Sequence, residues 1–278
     1  MPRGRAFTFT LLAMVAFAAN SVLCRLALQH TAIDPATFTG IRLAAGAAML
    51  ALILLFRGAA PGGNWTSALA LFAYAAGFSL AYVSLPAATG ALLLFGAVQV
   101  TMIGRGLWSG ERMDAWQTSG LLVAACGLVG LLLPGLSAPP WQGAALMLGA
   151  GIAWGVYSLR GRGVGDATAS TAGNFLRSLP MALLLVLAMA RHRQLDAAGV
   201  AYAIASGALA SGIGYALWYA VLPSLKATTA ATVQLSVPVL AAIGGIVLLG
   251  EPLTLRLVLA SIAVLGGVAL VIARRQHA

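Results

Sequence analysis

Apolar residues run along this chain in stretches of about twenty, broken by short groups of Gly, Pro and charged residues. A run of that length is what a helix needs to cross the hydrocarbon core of a bilayer. The breaks predict ten spans, at residues 7–29, 35–56, 66–86, 88–109, 115–133, 141–160, 168–190, 197–222, 227–250 and 253–273. The connections are short, and only Glu251-Pro252 separates the last two spans. No extramembrane domain fits between them, so function is expected within the bilayer.

One pattern in the chain is written twice. Gly77-Phe78-Ser79-Leu80-Ala81-Tyr82-Val83-Ser84-Leu85-Pro86 and Gly214-Tyr215-Ala216-Leu217-Trp218-Tyr219-Ala220-Val221-Leu222-Pro223 share the form Gly-[Phe/Tyr]-x-Leu-x-Tyr-x-x-Leu-Pro, 137 residues apart. In each copy two aromatic rings four residues apart share one helical face. A proline four residues after the tyrosine ends the helix or strips the tyrosine carbonyl of its donor. Other positions match as well. Arg25 lies six residues after Ala19 as Arg160 does after Trp154, Arg42 matches Arg177, and Gly110-Glu111 matches Gly250-Glu251. The pattern predicts two five-helix copies, residues 5–136 and 140–274. An odd helix number sets the second copy upside down relative to the first. The fold class is therefore an all-α integral membrane protein, with ten transmembrane helices in two inverted repeats around a central cavity.

Composition supports a membrane solvent. Apolar residues make up 61% and charged residues 8%, against roughly 25% charged in an ordinary soluble domain. The net charge of +10 is not a nucleic-acid signature, because no basic cluster interleaves with aromatics. The basic residues orient the chain instead. With the amino terminus inside, the inner ends hold Arg3, Arg5, Arg57, Arg112, Arg160, Arg162, Lys226, Arg274 and Arg275. Outer loops hold Arg191, Arg193 and Arg256, with Arg25 and Arg42 near outer helix ends. This bias predicts a multi-pass protein of the cell (inner) membrane with both termini cytoplasmic. The amino terminus resembles a signal peptide with a cleavage site at Ala16-Phe17-Ala18, but its apolar run continues to Leu28 and reads as a retained span. Cys24 and Cys126, in apolar runs without ligand spacing, read as small buried hydrophobes.

Polar groups inside spans are the functional pointers in such a chain. The acidic residues Asp34, Glu111, Asp114, Asp166, Asp196 and Glu251 fall at helix ends, which leaves no carboxylate for intramembrane proton coupling. Glu251-Pro252 reads as a helix start. Paired acids, a Ser/His arrangement and a metal cluster are all missing from the pattern, so neither an enzyme nor a cofactor is expected. What remains is neutral and aromatic: Asn20, Tyr74, Phe78, Tyr82, Gln99, Trp154, Tyr157, Asn174, Tyr215, Tyr219 and Gln234 as candidate substrate-binding residues. Gln234 precedes Pro238 by four, freeing its carbonyl. Trp65, Trp108, Trp116 and Trp141 sit at span edges and read as interface anchors. For the amides, hydrogen bonding between helices is the competing account. Arg42 and Arg177 each lie inside a span, which leaves two readings, a partner for a substrate carboxylate or phosphate, or snorkelling and bonding of helix-end carbonyls; the second is preferred. Gly120, Gly127, Gly130 and Gly266-Gly267 mark spans five and ten as packing helices, so the cavity is expected from spans one, three, four, six, eight and nine.

The two copies, the Gly-Glu pairs and the Trp154…Arg160 pattern resemble the drug/metabolite transporter superfamily in its EamA-type branch, over residues 7 to 273. Within it the chain looks most like the aromatic amino-acid exporters called YddG, although Ala19-Asn20 stands where many members carry a tryptophan. The resemblance implies a ten-helix inverted-repeat bundle that works by alternating access. The resulting expectation is uncoupled export of small amphipathic metabolites, aromatic or neutral amino acids foremost. An exporter of cationic or lipophilic drugs and an organic-phosphate or nucleotide-sugar exchanger are the alternatives.

Overall fold

The computed structural model describes residues 3–110, 113–135, 138–161, 164–192, 194–222, 225 and 233–274. Glu111, Arg112, Arg162, Arg193, Pro223, Lys226, Arg275 and His277 lie outside the described residues. The helices are α1 (Arg3–His30), α2 (Pro35–Arg57), α3 (Trp65–Tyr82), α4 (Ala87–Trp108), α5 (Ala115–Leu132), α6 (Trp141–Arg160), α7 (Ala167–Ala188), α8 (Ala197–Val221), α9 (Ser236–Leu249) and α10 (Leu255–Arg274). Among the described residues, seven of these, α1 to α5, α7 and α8, are long and apolar enough to cross a membrane. Glycines, Gln142 and Arg160 dilute the apolar character of α6, and the described part of α9 has 14 residues.

Helix starts follow from capping chemistry. Asp34, Asp114, Asp166 and Asp196 cap α2, α5, α7 and α8, each carboxylate accepting backbone N–H groups of the first turn. Asn64 does the same for α3. Pro35 opens α2, and Gly58 closes it in the left-handed conformation at φ 62°.

The bundle is arranged around α4, the most enclosed of the apolar helices. α3 and α6 pack together, and α4 packs on α6. α5 and α10 pair at the edge, where a Cβ on Gly120 would stand 2.7 Å from the Gly267 carbonyl oxygen and one on Gly127 2.7 Å from Ala263 Cβ. The small residues thus set a close backbone approach. An apolar groove of about 680 Å³ with Leu122, Val123 and Leu259 on its walls opens along this pair. α2 packs against α7 and α8. In α8, Ala205–Ile213 winds as a π-helix between two α-helical parts. Gly207, within that stretch, packs directly on the Arg42 carbonyl, leaving no room for a Cβ.

Two polar clusters tie opposite ends of α3. At its end, the carbonyl of Tyr82 has no helical donor, because residue 86 is proline and carries no N–H. Arg25 supplies one instead, donating from Nη1 to the carbonyls of Tyr82 (2.9 Å) and Val83 (3.0 Å). Its Nε meets Glu251 Oε1 at 3.2 Å, and Glu251 Oε2 accepts from the Ala87 N–H at 2.8 Å. Glu251 therefore does not cap α10, which begins at Leu255 with Thr254 Oγ1 accepting from the Leu257 N–H. It ties α1, α3 and α4 to the α9–α10 connection. At the start of α3, Arg160 donates to Ser67 Oγ (3.1 Å) and Asn64 Oδ1 (3.2 Å), Asn174 Oδ1 accepts from the Asn64 N–H, and Arg57 pairs with Asp166 at 2.9 Å. This second cluster joins the ends of α2 and α6 to the starts of α3 and α7.

Candidate functional site

Between the clusters, side chains of α1, α3, α4, α6 and α8 converge on a small cavity of about 20 Å³, room for roughly one water molecule in this closed arrangement. Phe17, Asn20 and Ser21 come from α1, Tyr74 and Phe78 from α3, Leu94 and Phe95 from α4. Trp154 comes from α6, and Ser211 and Tyr215 from α8. The aromatic rings form a connected wall. Trp154 lies 4.8 Å from Tyr74, stacks on Tyr215 at 5.2 Å and 28°, and stacks on Tyr157 at 5.4 Å and 27° between ring centroids and planes. Such pairs contribute about 0.5–1.5 kcal/mol each beyond area burial.

One polar network crosses this wall. Ser206 Oγ donates to Asn20 Oδ1 (2.6 Å), and Asn20 Nδ2 donates to the Tyr74 hydroxyl oxygen (3.2 Å). Arg42 Nη2 donates to the same oxygen at 3.0 Å. Arg42 does not snorkel. It is 2% exposed, and its guanidinium lies 4.8 Å from the Phe78 ring centre and 5.2 Å from that of Tyr74. The reason is its neighbourhood: two aromatic faces and a phenol oxygen hold the cation inward. Arg177, its counterpart 135 residues on, donates instead to the Gly62 and Gly173 carbonyls.

A second small pocket of about 30 Å³ lies at the start of α3, lined by Asn64, Ser67, Tyr157, Arg160, Thr171, Asn174 and Tyr219 among others. Tyr157 donates to Thr171 Oγ1 (3.3 Å) and accepts from Asn174 Nδ2 (3.4 Å). Trp154, on the wall of the first pocket and stacked on Tyr157 of the second, stands between them.

The sequence-derived candidates thus separate into groups. Asn20, Tyr74, Phe78, Trp154 and Tyr215 meet at the first cavity; Tyr157, Asn174 and Tyr219 meet at the second. Tyr82 lines neither. It is fully buried, its hydroxyl donates to the Ala87 carbonyl (3.2 Å), and its ring lies against Gly90. One turn beyond Phe78, the stripe has reached the end of α3. Gln99 is buried and Gln234 half-buried, both away from the two linings. No described residue of α9 lines either pocket, against the expectation for span nine. Phe17 and Phe95 line the first cavity and were not among the candidates. Phe17 was legible only as the residue three before Asn20 on one helical face. Tyr82→Ala is accordingly expected to lower stability by about 3–5 kcal/mol through the cavity it leaves. Thermal unfolding in detergent checks this, with Tyr82→Phe near wild type.

Apolar helices long enough to span, with a small aromatic and polar cavity buried between them, mark a multi-pass membrane protein. The model of the EamA-like transporter family matches residues 4–133 and again 141–273, and the chain belongs to that family. It is a membrane transporter and not an enzyme. An uncharacterized protein of Pseudomonas aeruginosa is 59% identical over 99% of this chain and 97% of its own length. An uncharacterized transporter of Archaeoglobus fulgidus is 28% identical over 59% of this chain and 60% of its own. A protein crystal structure with 19% identity superposes with a TM-score of 0.68 over 95% of this chain and 98% of that one, a likeness of fold.

Proposed function

We propose that this transporter exports small amphipathic metabolites, aromatic or neutral amino acids foremost, in the manner of the YddG branch. The observation that carries the reading is the cavity itself: aromatic rings from both halves of the chain, with Asn20 and Ser211 on the same wall. Such walls supply stacking area, and the polar groups orient a small solute. Ten spans in two inverted five-helix repeats are part of the proposal. The double match of one family model supports the duplication. The ends of α1 and α6, matched in sequence, belong to clusters at opposite ends of α3, which supports the inversion.

Alternating access would then open and close the Arg25–Glu251 cluster and the Arg57–Asp166 and Arg160–Asn64 cluster in turn. Both termini are assigned to the cytoplasm of a cell (inner) membrane, so the Arg25 cluster faces outward. The described acidic residues are engaged as caps or, for Glu251, in that cluster, which supports transport down the solute's own gradient. Proteoliposomes containing the purified chain should equilibrate labelled phenylalanine against a preloaded gradient with equal pH on both sides. Strict dependence on an imposed proton gradient would sink the uncoupled mechanism, and no movement of phenylalanine or other neutral amino acids would sink the substrate class.

A further inference from the structure

Arg42 is a buried cation without an anionic partner among the described residues. Among the described residues its Nε and Nη1 have no hydrogen-bond partner, and Nη2 has only the Tyr74 hydroxyl. Aromatic faces offset part of the cost of burying this charge in a low-dielectric interior, but they offer no acceptor for the free N–H groups. Arg177 could be placed at the matched position with its charge on two backbone carbonyls. The first half of the chain therefore keeps an under-bonded guanidinium where the second half does not.

The Tyr74 hydroxyl transmits that charge to the cavity. Its oxygen accepts from both Asn20 Nδ2 and Arg42 Nη2, so both lone pairs are occupied. Its own O–H is left to donate, and no described group accepts it. Donation from a phenol polarised by a guanidinium is a charge-assisted bond in search of an anion. Ser211, the residue that matches Tyr74 in the second half, lines the same cavity, is 1% exposed, and its Oγ also has no partner. Two matched positions, one from each half, thus present unspent hydroxyls to one space backed by a positive charge.

We propose that Arg42, Tyr74 and Ser211 form a subsite for the carboxylate of the transported solute. This rests on the cavity's being the transport site and narrows its substrate to aromatic or apolar organic acids and zwitterions. The carboxylate supplies the charge that Arg42 lacks, and Tyr74 and Ser211 donate to its oxygens. The apolar part of the solute lies against Trp154, Phe78 and Tyr215. The amino group of an amino acid is not required for recognition.

Binding to the purified full chain in nanodiscs, followed by calorimetry, separates the possibilities with four probes of similar size: 3-phenylpropionate, phenylalanine, 2-phenylethylamine and 3-phenylpropanol. The two carboxylates should bind at least about tenfold more tightly than the amine and the alcohol, the discrimination that a hydrogen bond to a charged group supplies. Arg42→Gln should erase that preference, Arg42→Lys should keep part of it, and Ser211→Ala, a small change at the wall, should reduce it. Trp154→Ala should weaken all the probes that bind without altering the preference. Equal binding of all four probes, or a preference that survives Arg42→Gln, overturns the carboxylate subsite while leaving the aromatic cavity standing. Failure of all four to bind or be transported overturns the cavity reading as well.

Discussion

Glu251→Ala should destabilise the protein by about 3–5 kcal/mol, the range for removing one partner of a buried ion pair. The pair is nearly out of solvent, with side chains 12% and 8% exposed for Arg25 and Glu251. The loss extends beyond one contact, because Glu251 also accepts the Ala87 N–H at the start of α4. Without Glu251, that donor and the Arg25 Nε both stay buried and unpaired. Arg25 would still hold the Tyr82 and Val83 carbonyls, so it should remain in position as an unneutralised cation. Glu251→Gln should cost less, since it keeps an acceptor for Ala87. Combining Glu251→Ala with Arg25→Met should recover part of the loss, giving a coupling of about 0.5–3 kcal/mol between the two sites. Thermal unfolding of the four proteins in one detergent measures it. Additive losses would mean that the pair contributes nothing as a pair.

The second large effect is expected at Trp154. Its ring touches Tyr74, Tyr157 and Tyr215, so Trp154→Ala removes three aromatic contacts at once and merges the walls of the two pockets. Transport of an aromatic amino acid should fall at least about tenfold, the equivalent of roughly 1.4 kcal/mol in solute affinity. Trp65, at 62% exposure on the outside of α3, provides the control, and Trp65→Ala should leave transport rates near wild type. Uptake by proteoliposomes, normalised to folded protein, distinguishes the two. If both variants lose transport equally, the distinction between wall and interface aromatics fails.

Much of this architecture was legible because it follows from solvent and period. Apolar runs bounded by Gly, Pro and charge gave the helices and put the acidic residues at their ends, where four aspartates turn out to be caps. The aromatic stripe pointed at Phe78, Tyr74 and Tyr215 because residues four apart share a face. The same rule brought in Tyr82, whose side chain lies outside both linings, since a face continues to the end of a helix while a cavity does not. For Arg42 the preferred snorkelling reading fails for a different reason. Whether a cation in a span reaches for the interface or turns inward depends on what the neighbouring helices offer. Here the decisive groups, Tyr74 and Phe78, lie more than thirty residues away. Glu251 looked like a cap because local sequence cannot reveal that its partner is Arg25, 226 residues earlier.

Ser206 marks the remaining gap, and the π-helical stretch of α8 accounts for it. At about 100° per residue, Ser206 and Ser211 would point about 140° apart on an α-helix, and Ser206 would fall off the stripe of Ser211 and Tyr215. Across Ala205–Ile213 the hydrogen bonds run from each N–H to the carbonyl five residues back, and this wider winding brings the two serines closer in angle than an α-helix would. One extra residue in the winding thus resets the angular register of everything that follows it. Returning that stretch to α-helical winding would rotate Tyr215 and Tyr219 relative to Ser206. The wall of the cavity is therefore composed of two sequence phases, joined at a point where the helix can change its count.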